Sequence, residues 1–311
     1  MAKILITESV HPIGPELLTA AGHTVVYADR DMDIIRREIV DADAVLVRII
    51  ELPGSLLATA KNLKIVSKHG VGYDNIDLDY CKSHGVAVTI TPNANSLSVA
   101  EHAFTLMLTL AKNIIPVSNE YRTVGFAAKN HAPGIEMTGK TLGLIGMGRI
   151  GKHVLHMCKD GLDMHVIVYD PYISEVPEGV EKVDDLSELL RRADVVTLHC
   201  LLTDETRKLI DRERLALMKP TALLINCARG PIVDEAALIE ALENGRLAGA
   251  GLDVTDPEPV APDSPLFKLP NVIVTPHYPP TTVESATRVS KIAAENINAV
   301  LAGKEPVGRI V

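Results

Sequence analysis

Apolar residues in this chain come in short runs, separated by stretches whose apolar positions recur at helical spacing. Lys3 to Ile6, Thr24 to Tyr27, Ala44 to Val47, Ile65 to Ser67 and Val86 to Thr89 read as strands. Between them, Glu16 to Ala21 (closed by Gly22), Asp33 to Val40, Ser55 to Ala60 and the stretch from Asp77 to about Ser83 read as helices. Strands that alternate with helices at this spacing imply a parallel sheet covered on both faces. Thr91 to Ser98 is polar, contains Pro92 and reads as a connector to a second domain. Ser98 to Ala111 is a helix so uniformly apolar that burial between domains or at a subunit contact is expected. Residues 116–139 show no clear period and read as an extended excursion.

The alternation then resumes. Leu142 to Ile145 is a strand that runs into Gly146-Met147-Gly148-Arg149-Ile150-Gly151, and a helix follows with Ile150, Val154, Cys158 and Leu162 on one face. A second strand, Val166 to Tyr169, ends at Asp170. In this context G-x-G-x-x-G has a physical reading. The first glycine permits the tight turn, the second lets backbone approach a pyrophosphate, and the third lets helix and strand pack closely. The helix N-terminus offers free N–H groups to the phosphates, and Asp170 is placed to accept from ribose hydroxyls and repel a 2′-phosphate. The turn from Thr7 to Gly14 lacks this fingerprint, so the N-terminal half is not the dinucleotide half. Further strands are expected at Val195 to Leu198, Ala222 to Ile225, Ala248 to Leu252 and Val272 to Val274, and helices at Ser187 to Arg192, after Asp211, and from Glu235 to Glu243. Thr281 or Thr282 caps a last helix reaching about Leu301.

Composition narrows the picture. The length of 311 residues suits about two domains. A net charge of −9 disfavours nucleic acid and anionic membrane surfaces as partners, and no apolar run is long enough to span a bilayer. The N-terminus enters a strand directly, without signal-peptide character. Cys81, Cys158, Cys200 and Cys227 have no metal-ligand spacing, so no metal is expected and the thiols read as buried and reduced in a cytoplasmic protein.

Candidate chemistry lies where strands end, since ligands of open α/β sheets sit outside the carboxyl ends of the strands. His199, Arg229, Asp253 (with Glu258 just beyond) and His277 follow successive strands. An Arg, a Glu and a His beside a nucleotide fold suit a 2-hydroxy acid. The His takes the hydroxyl proton as hydride leaves C2, a carboxylate fixes its tautomer, and the Arg binds the carboxylate bidentately. In the first half, His69-Gly70-Val71-Gly72-Tyr73-Asp74-Asn75 reads either as a backbone cradle for a carboxylate or as a tight turn with local caps. Arg48 and Lys68 read either as a subsite for a distal anion or as solvated surface charges, with His69, Tyr73 and Tyr278 as other rim candidates.

HGVGYDNID (69–77), NANSLSVAEH (93–102), GLIGMGRIG (143–151), LINCARGPIVDEAAL (224–238), GAGLDVTDPEP (249–259) and VTPH (274–277) occur in order. With these motifs the chain resembles the D-isomer-specific 2-hydroxyacid dehydrogenases, in particular the phosphoglycerate dehydrogenase and hydroxypyruvate reductase branch. The resemblance implies two Rossmann-like α/β parallel-sheet domains: a discontinuous substrate-binding domain, 1–97 with 285–311, and an inserted NAD-binding domain, 98–284. It implies Arg229, Glu258 and His277 as catalytic residues. Cofactor contacts would come from Val71, Gly146, Gly148, Arg149, Ile150, Gly151, Asp170, Cys200, Thr206, Cys227, Arg229, Asp253 and His277. Substrate contacts would come from Val71, Gly72 and Arg229, with Arg48 added by position. NAD is the implied cofactor, a small 2-hydroxy or 2-keto acid the substrate, and a homodimer the assembly. A catalytically silent NAD(H)-binding partner on the same fold is the alternative. Two departures from the family pattern are Leu201 in place of a proline after the His199 strand, and Tyr278-Pro279-Pro280 after the catalytic histidine, where proline removes backbone donors. The chain ends soon after the last helix, so no C-terminal regulatory domain is expected.

Overall fold

A computed structural model describes residues 1–311. Two units emerge from the chain's own contacts, Met1–Asn95 with Pro279–Val311, and Ser96–Tyr278. The first crossing falls between Asn95 and Ser96, because the apolar helix begins at Ser96 and not at Ser98. The return falls between Tyr278 and Pro279 and not at 284/285, because Pro279–Thr281 forms a 3-10 turn leading directly into the last helix.

In the first unit, β1 (Lys3–Ile6), β2 (Thr24–Tyr27), β3 (Ala44–Val47), β4 (Ile65–Lys68) and β5 (Ala87–Thr89) form a parallel sheet in the order β2-β1-β3-β4-β5. Central β3 and β4 are buried at every position, which is why they read as continuous runs without alternation. Successive side chains pass to opposite faces. Leu5, Val45, Val47 and Val66 join one cluster with Ile35, Ile39 and Leu57. Ile4, Ile6, Leu46 and Ile65 join another with Leu18, Ala293 and Ile297. The second cluster draws on the helix Val283–Leu301, so this sheet is completed by the far end of the chain. A Cβ on Gly14 would stand 2.4 Å from Ser290 Oγ, and this glycine lets the helix Ile13–Ala20 lie close against that last helix. Thr282 caps the last helix by accepting from the Ser285 amide.

The second unit holds β6 (Thr141–Ile145), β7 (His165–Tyr169), β8 (Val180–Lys182), β9 (Val195–Leu198), β10 (Leu223–Asn226), β11 (Gly249–Leu252) and β12 (Val272–Val274). They form a parallel sheet in the order β12-β11-β10-β9-β6-β7-β8. The chain winds outward through β7 and β8, then returns to β9 on the other side of β6, so the switch point lies between β6 and β9. β8, a three-residue edge strand of sequence Val-Glu-Lys, carries no apolar pattern and was not expected.

Two expectations are corrected here. The helix Ser96–Ala111 is buried against its own unit: Val99, Ala103, Leu106 and Met107 share a cluster with Leu142, Leu144 and Val168. Glycines in β11 make room for it, since a Cβ on Gly251 would meet Leu106 Cβ at 3.0 Å. Residues 116–139 are not simply extended. Ile114–Val124 is a helix ended by Gly125 at φ +64°, and Gly125–Asn130 continues as a 3-10 helix. No period shows because the Ile114–Val124 helix buries no residue, and Pro116 sits in its first turn, where a missing N–H costs nothing. No helix is long and apolar enough to cross a membrane.

Candidate active site

Strand β6 ends at Gly146, which turns the chain at φ +91°. A Cβ there would stand 2.7 Å from Cys200 N and 2.8 Å from His199 C, so the loop after β6 is pressed against the loop after β9. A Cβ on Gly151 would fall 2.2 Å from Gly146 O, so the helix Arg149–Leu162 starts directly on the turn. A Cβ on Gly148 would meet nothing within 4 Å: this glycine leaves a gap and does not fill a packing contact. Gly148 is also the helix N-cap and supplies no side-chain acceptor, leaving the first amides, at Arg149 and Ile150 among them, for an anion. Open space over an uncapped N-terminus fits a pyrophosphate.

At the end of β7, Asp170 accepts from the Met147 amide through Oδ2 (2.9 Å) and from the Tyr172 amide through Oδ1 (3.0 Å). The glycine loop thus fixes the carboxylate beside itself. Tyr172, exposed, donates its hydroxyl to Glu205 Oε2 at 3.0 Å. Cys200 is half-buried, and burial pushes its thiol up to about 11. Thr206 donates its hydroxyl to Leu201 O (2.6 Å) and accepts from the Thr203 amide (2.8 Å), which shapes the loop after β9. Among the strand-end residues, His199 differs from the sequence reading. The residue is partly buried, bonds Thr197 Oγ1 through Nε2 at 2.8 Å and leaves its buried Nδ1 without a partner. Burial holds its pKa down to about 3, so it is a neutral imidazole packed under the Gly146 turn.

The residues expected to carry acid–base chemistry lie at the neighbouring strand ends. After β10, Asn226 shapes a turn by accepting from the Ala228 amide (3.0 Å) and donating to Arg229 O (2.9 Å). Cys227 is buried in that turn, which raises its thiol pKa, and Arg229 donates through Nη1 to Ala228 O at 2.7 Å. A Cβ on Gly230 would lie 1.9 Å from Thr255 O, so the Arg229 turn is seated on the chain leading to Glu258. Glu258 Oε1 stands 2.8 Å from His277 Nδ1, and both side chains are about one-third exposed, at 33% and 31%. His277 itself adopts φ +52°, a conformation rare for a residue with a Cβ. Its amide is held by Asp253 O (2.9 Å) and Thr275 O (3.1 Å). Asp253, buried after β11, accepts on Oδ1 from Thr275 Oγ1 (2.6 Å) and the Tyr278 amide (2.9 Å). Sequence reasoning passed over Asn226 and Thr275, small polar residues at strand ends whose work is to shape the turns.

In the first unit, the backbone N–H groups of Val71 and Gly72 donate to no protein acceptor, and Gly70 reaches φ +145° with its carbonyl tied to the Thr91 amide at 2.9 Å. Arg48 donates through Nη1 to Ser9 O at 3.0 Å, and burial lowers its pKa. The loop it sits on is held by the buried Glu8, which accepts from the amides of Arg48 (2.8 Å), Ile49 (2.7 Å) and Ile50 (3.1 Å). No motif or periodicity singles Glu8 out. Lys68 is not a solvated surface charge: it is buried and donates to Arg48 O and Asn75 Oδ1. His69 is buried with both ring nitrogens unpartnered, and burial with the nearby Arg48 holds it neutral, at about 3.

Residues 104–279 match the model of the NAD-binding domain of the D-isomer-specific 2-hydroxyacid dehydrogenases. The D-3-phosphoglycerate dehydrogenase of Methanocaldococcus jannaschii is 43% identical over 98% of this chain and 58% of its own length. The glyoxylate reductase of Thermofilum pendens is 37% identical over 98% of this chain and 93% of its own. The chain belongs to the D-isomer-specific 2-hydroxyacid dehydrogenase family. Its second unit is the NAD-binding domain of that family. Among solved structures, the TT0316 protein of Thermus thermophilus superposes with a TM-score of 0.92 at 35% identity, over 99% of this chain and 100% of that one. Against phosphoglycerate dehydrogenases such as that of M. jannaschii, the chain spans little more than half of the relative's length.

Proposed function

We propose that the protein is an NAD-dependent dehydrogenase that interconverts a small polar or anionic D-2-hydroxy acid and its 2-keto acid. The observation that carries this reading is the 2.8 Å contact between His277 Nδ1 and Glu258, on a segment against which the Arg229 turn is packed. With Nδ1 held by the carboxylate, Nε2 is the nitrogen free to exchange a proton with the substrate's C2 oxygen. In reduction the imidazolium donates that proton, and in oxidation the neutral ring removes it. Glu258 fixes the tautomer and offsets the positive charge of the imidazolium. Arg229 binds the substrate carboxylate as a fork and polarises the C2 carbonyl. The open amides of Val71 and Gly72 are proposed as further carboxylate donors. When bound, the cofactor supplies or accepts hydride at C2. Asp170 disfavours a 2′-phosphate, so NAD is preferred over NADP.

The proposed substrates are hydroxypyruvate, glyoxylate or a phospho- or sulfo-substituted three-carbon acid. Two of the relatives are a D-3-phosphoglycerate dehydrogenase and a glyoxylate reductase, and Arg48 is the cation offered for a distal anion. Steady-state kinetics of NADH oxidation with hydroxypyruvate, 3-phosphohydroxypyruvate, sulfopyruvate and 2-ketoisocaproate test this. The three polar acids should give the higher kcat/KM, and 2-ketoisocaproate as the best substrate would refute the reading. We further propose a cytoplasmic homodimer. The support for the dimer is that Ile114, Ile115, Tyr121, Val124, Phe126 and Ile135 are all exposed on one short stretch.

A further inference from the structure

The helix Ser96–Ala111 buries Val99, Ala103, Leu106 and Met107, and on that same side it carries one titratable residue, His102, whose side chain is only 15% exposed. His102 Nε2 lies 2.9 Å from Thr275 Oγ1 and 3.4 Å from Asp253 Oδ1. Thr275 Oγ1 in turn lies 2.6 Å from Asp253 Oδ1. An ionised carboxylate only accepts, so the single hydroxyl proton of Thr275 goes to Asp253. The hydroxyl then has only lone pairs to offer, and His102 must carry its proton on Nε2. The result is a directed chain: His102 Nε2–H donates to Thr275, Thr275 donates to Asp253 Oδ1, and the Tyr278 amide donates to the same oxygen at 2.9 Å.

Two consequences follow from where this chain ends. The hydrogen bonds from Thr275 and Tyr278 and the approach of His102 all fall on Asp253 Oδ1, so one oxygen of the buried carboxylate is tied to all three. The residues held on either side, Thr275 and Tyr278, flank His277, whose own amide bonds Asp253 O and whose φ of +52° needs support from its surroundings. The helix that delivers His102 is itself fixed on the sheet, with Leu106 filling the space left by Gly251. We propose that His102 is a positioning residue: from the buried helix it locks the Asp253 carboxylate and the 275–278 turn, and so sets the place of the His277 ring. The proposal rests on the functional reading above, in which His277 is the proton donor.

A core histidine that merely satisfies its own hydrogen bonds would affect stability and leave the rate constants alone. His102→Leu and His102→Gln separate the two roles, because Gln keeps an N–H donor and Leu does not. For His102→Leu, kcat should fall by about tenfold or more while the KM for the keto acid moves by less than about threefold, since a misplaced acid harms chemistry more than binding. His102→Gln should recover to within about threefold of wild type. A readout free of turnover comes from long-range ¹H–¹⁵N spectra of the imidazoles. His102 should appear as the Nε2–H tautomer, and the His277 resonances should shift in the Leu variant and return in the Gln variant. An unchanged kcat in folded His102→Leu, or His277 resonances that do not move, overturns the proposal. A wild-type protein that reduces no 2-keto acid overturns the functional reading instead, and the spectra then decide on the clamp alone.

Discussion

His277 and Glu258 are each about one-third exposed, so their 2.8 Å contact fixes a ring orientation and is not a source of stability. His277→Ala should therefore lower kcat by about a hundredfold or more, the scale of general acid–base catalysis, with NADH affinity little changed. Stopped-flow reduction together with fluorescence titration of NADH measures both, and an active Ala variant would remove His277 from the mechanism. Asp170 has a different task. One oxygen accepts from the Met147 amide of the glycine loop and the other from the Tyr172 amide two residues further on, which holds the carboxylate beside that loop. Asp170→Ala should narrow the preference for NADH over NADPH by about tenfold or more, through loss of a charge opposed to the 2′-phosphate. An unchanged ratio of kcat/KM values would mean that discrimination arises elsewhere.

Among the elements, the turns carry the site and the glycines carry the turns. Gly230 is the sharpest case, because a Cβ would stand 1.9 Å from Thr255 O, a backbone atom with no freedom to give way. Gly230→Ala should destabilise the protein by about 1–3 kcal/mol, the usual cost of overpacking, and should also lower kcat by shifting Arg229 away from the His277 segment. Urea unfolding and kinetics on the same preparation check both parts, and a variant as stable and active as wild type contradicts the packing seen here. Most of this arrangement was legible in the sequence. The alternation of runs and periods announced both parallel sheets, and Gly146, Gly148, Gly151 and Asp170 marked the dinucleotide half. Where legibility failed, the reasons were physical. β8 is an edge strand with little to bury, so it leaves no apolar signature. The helix Ile114–Val124 buries nothing, so it shows no period. The polar character of His199 and Lys68 suggested contact with a ligand or solvent, yet the fold holds His199 as a partly buried neutral ring and buries Lys68 as a donor to carbonyl oxygens. A linear pattern shows which residues are polar but not which loop will close over them.

For the molecule as a whole, the buried histidines make stability depend on pH. Burial lowers His69 and His199 from the ordinary 6.5 to about 3 in the folded state. The unfolded chain takes up these protons as pH falls below about 6.5, whereas the folded chain refuses them until about 3. Their full contribution to stability is therefore present above 6.5 and is lost progressively as pH falls from 6.5 toward 3. His199→Phe should reduce the drop in urea midpoint between neutral and mildly acidic buffer, and an unaltered drop would show that other groups govern it. The exposed apolar stretch around Tyr121 and Phe126 predicts a dimer, so light scattering at micromolar concentration should return about twice the chain mass of 33.5 kDa, and Phe126→Asp should shift the protein toward monomer. The central claim, that His277, Glu258 and Arg229 make this fold a 2-hydroxyacid dehydrogenase, is tested most directly by a single assay. The rate of NADH oxidation with hydroxypyruvate is compared in wild type and Arg229→Ala under matched conditions. The account predicts steady turnover by the wild type and a loss of about a hundredfold or more in kcat/KM for the variant, on the scale expected when a positioning and polarising guanidinium is removed. Wild-type protein that binds NADH yet oxidises none of it with hydroxypyruvate, glyoxylate or the anionic three-carbon acids, or an Arg229→Ala variant as efficient as wild type, would contradict it.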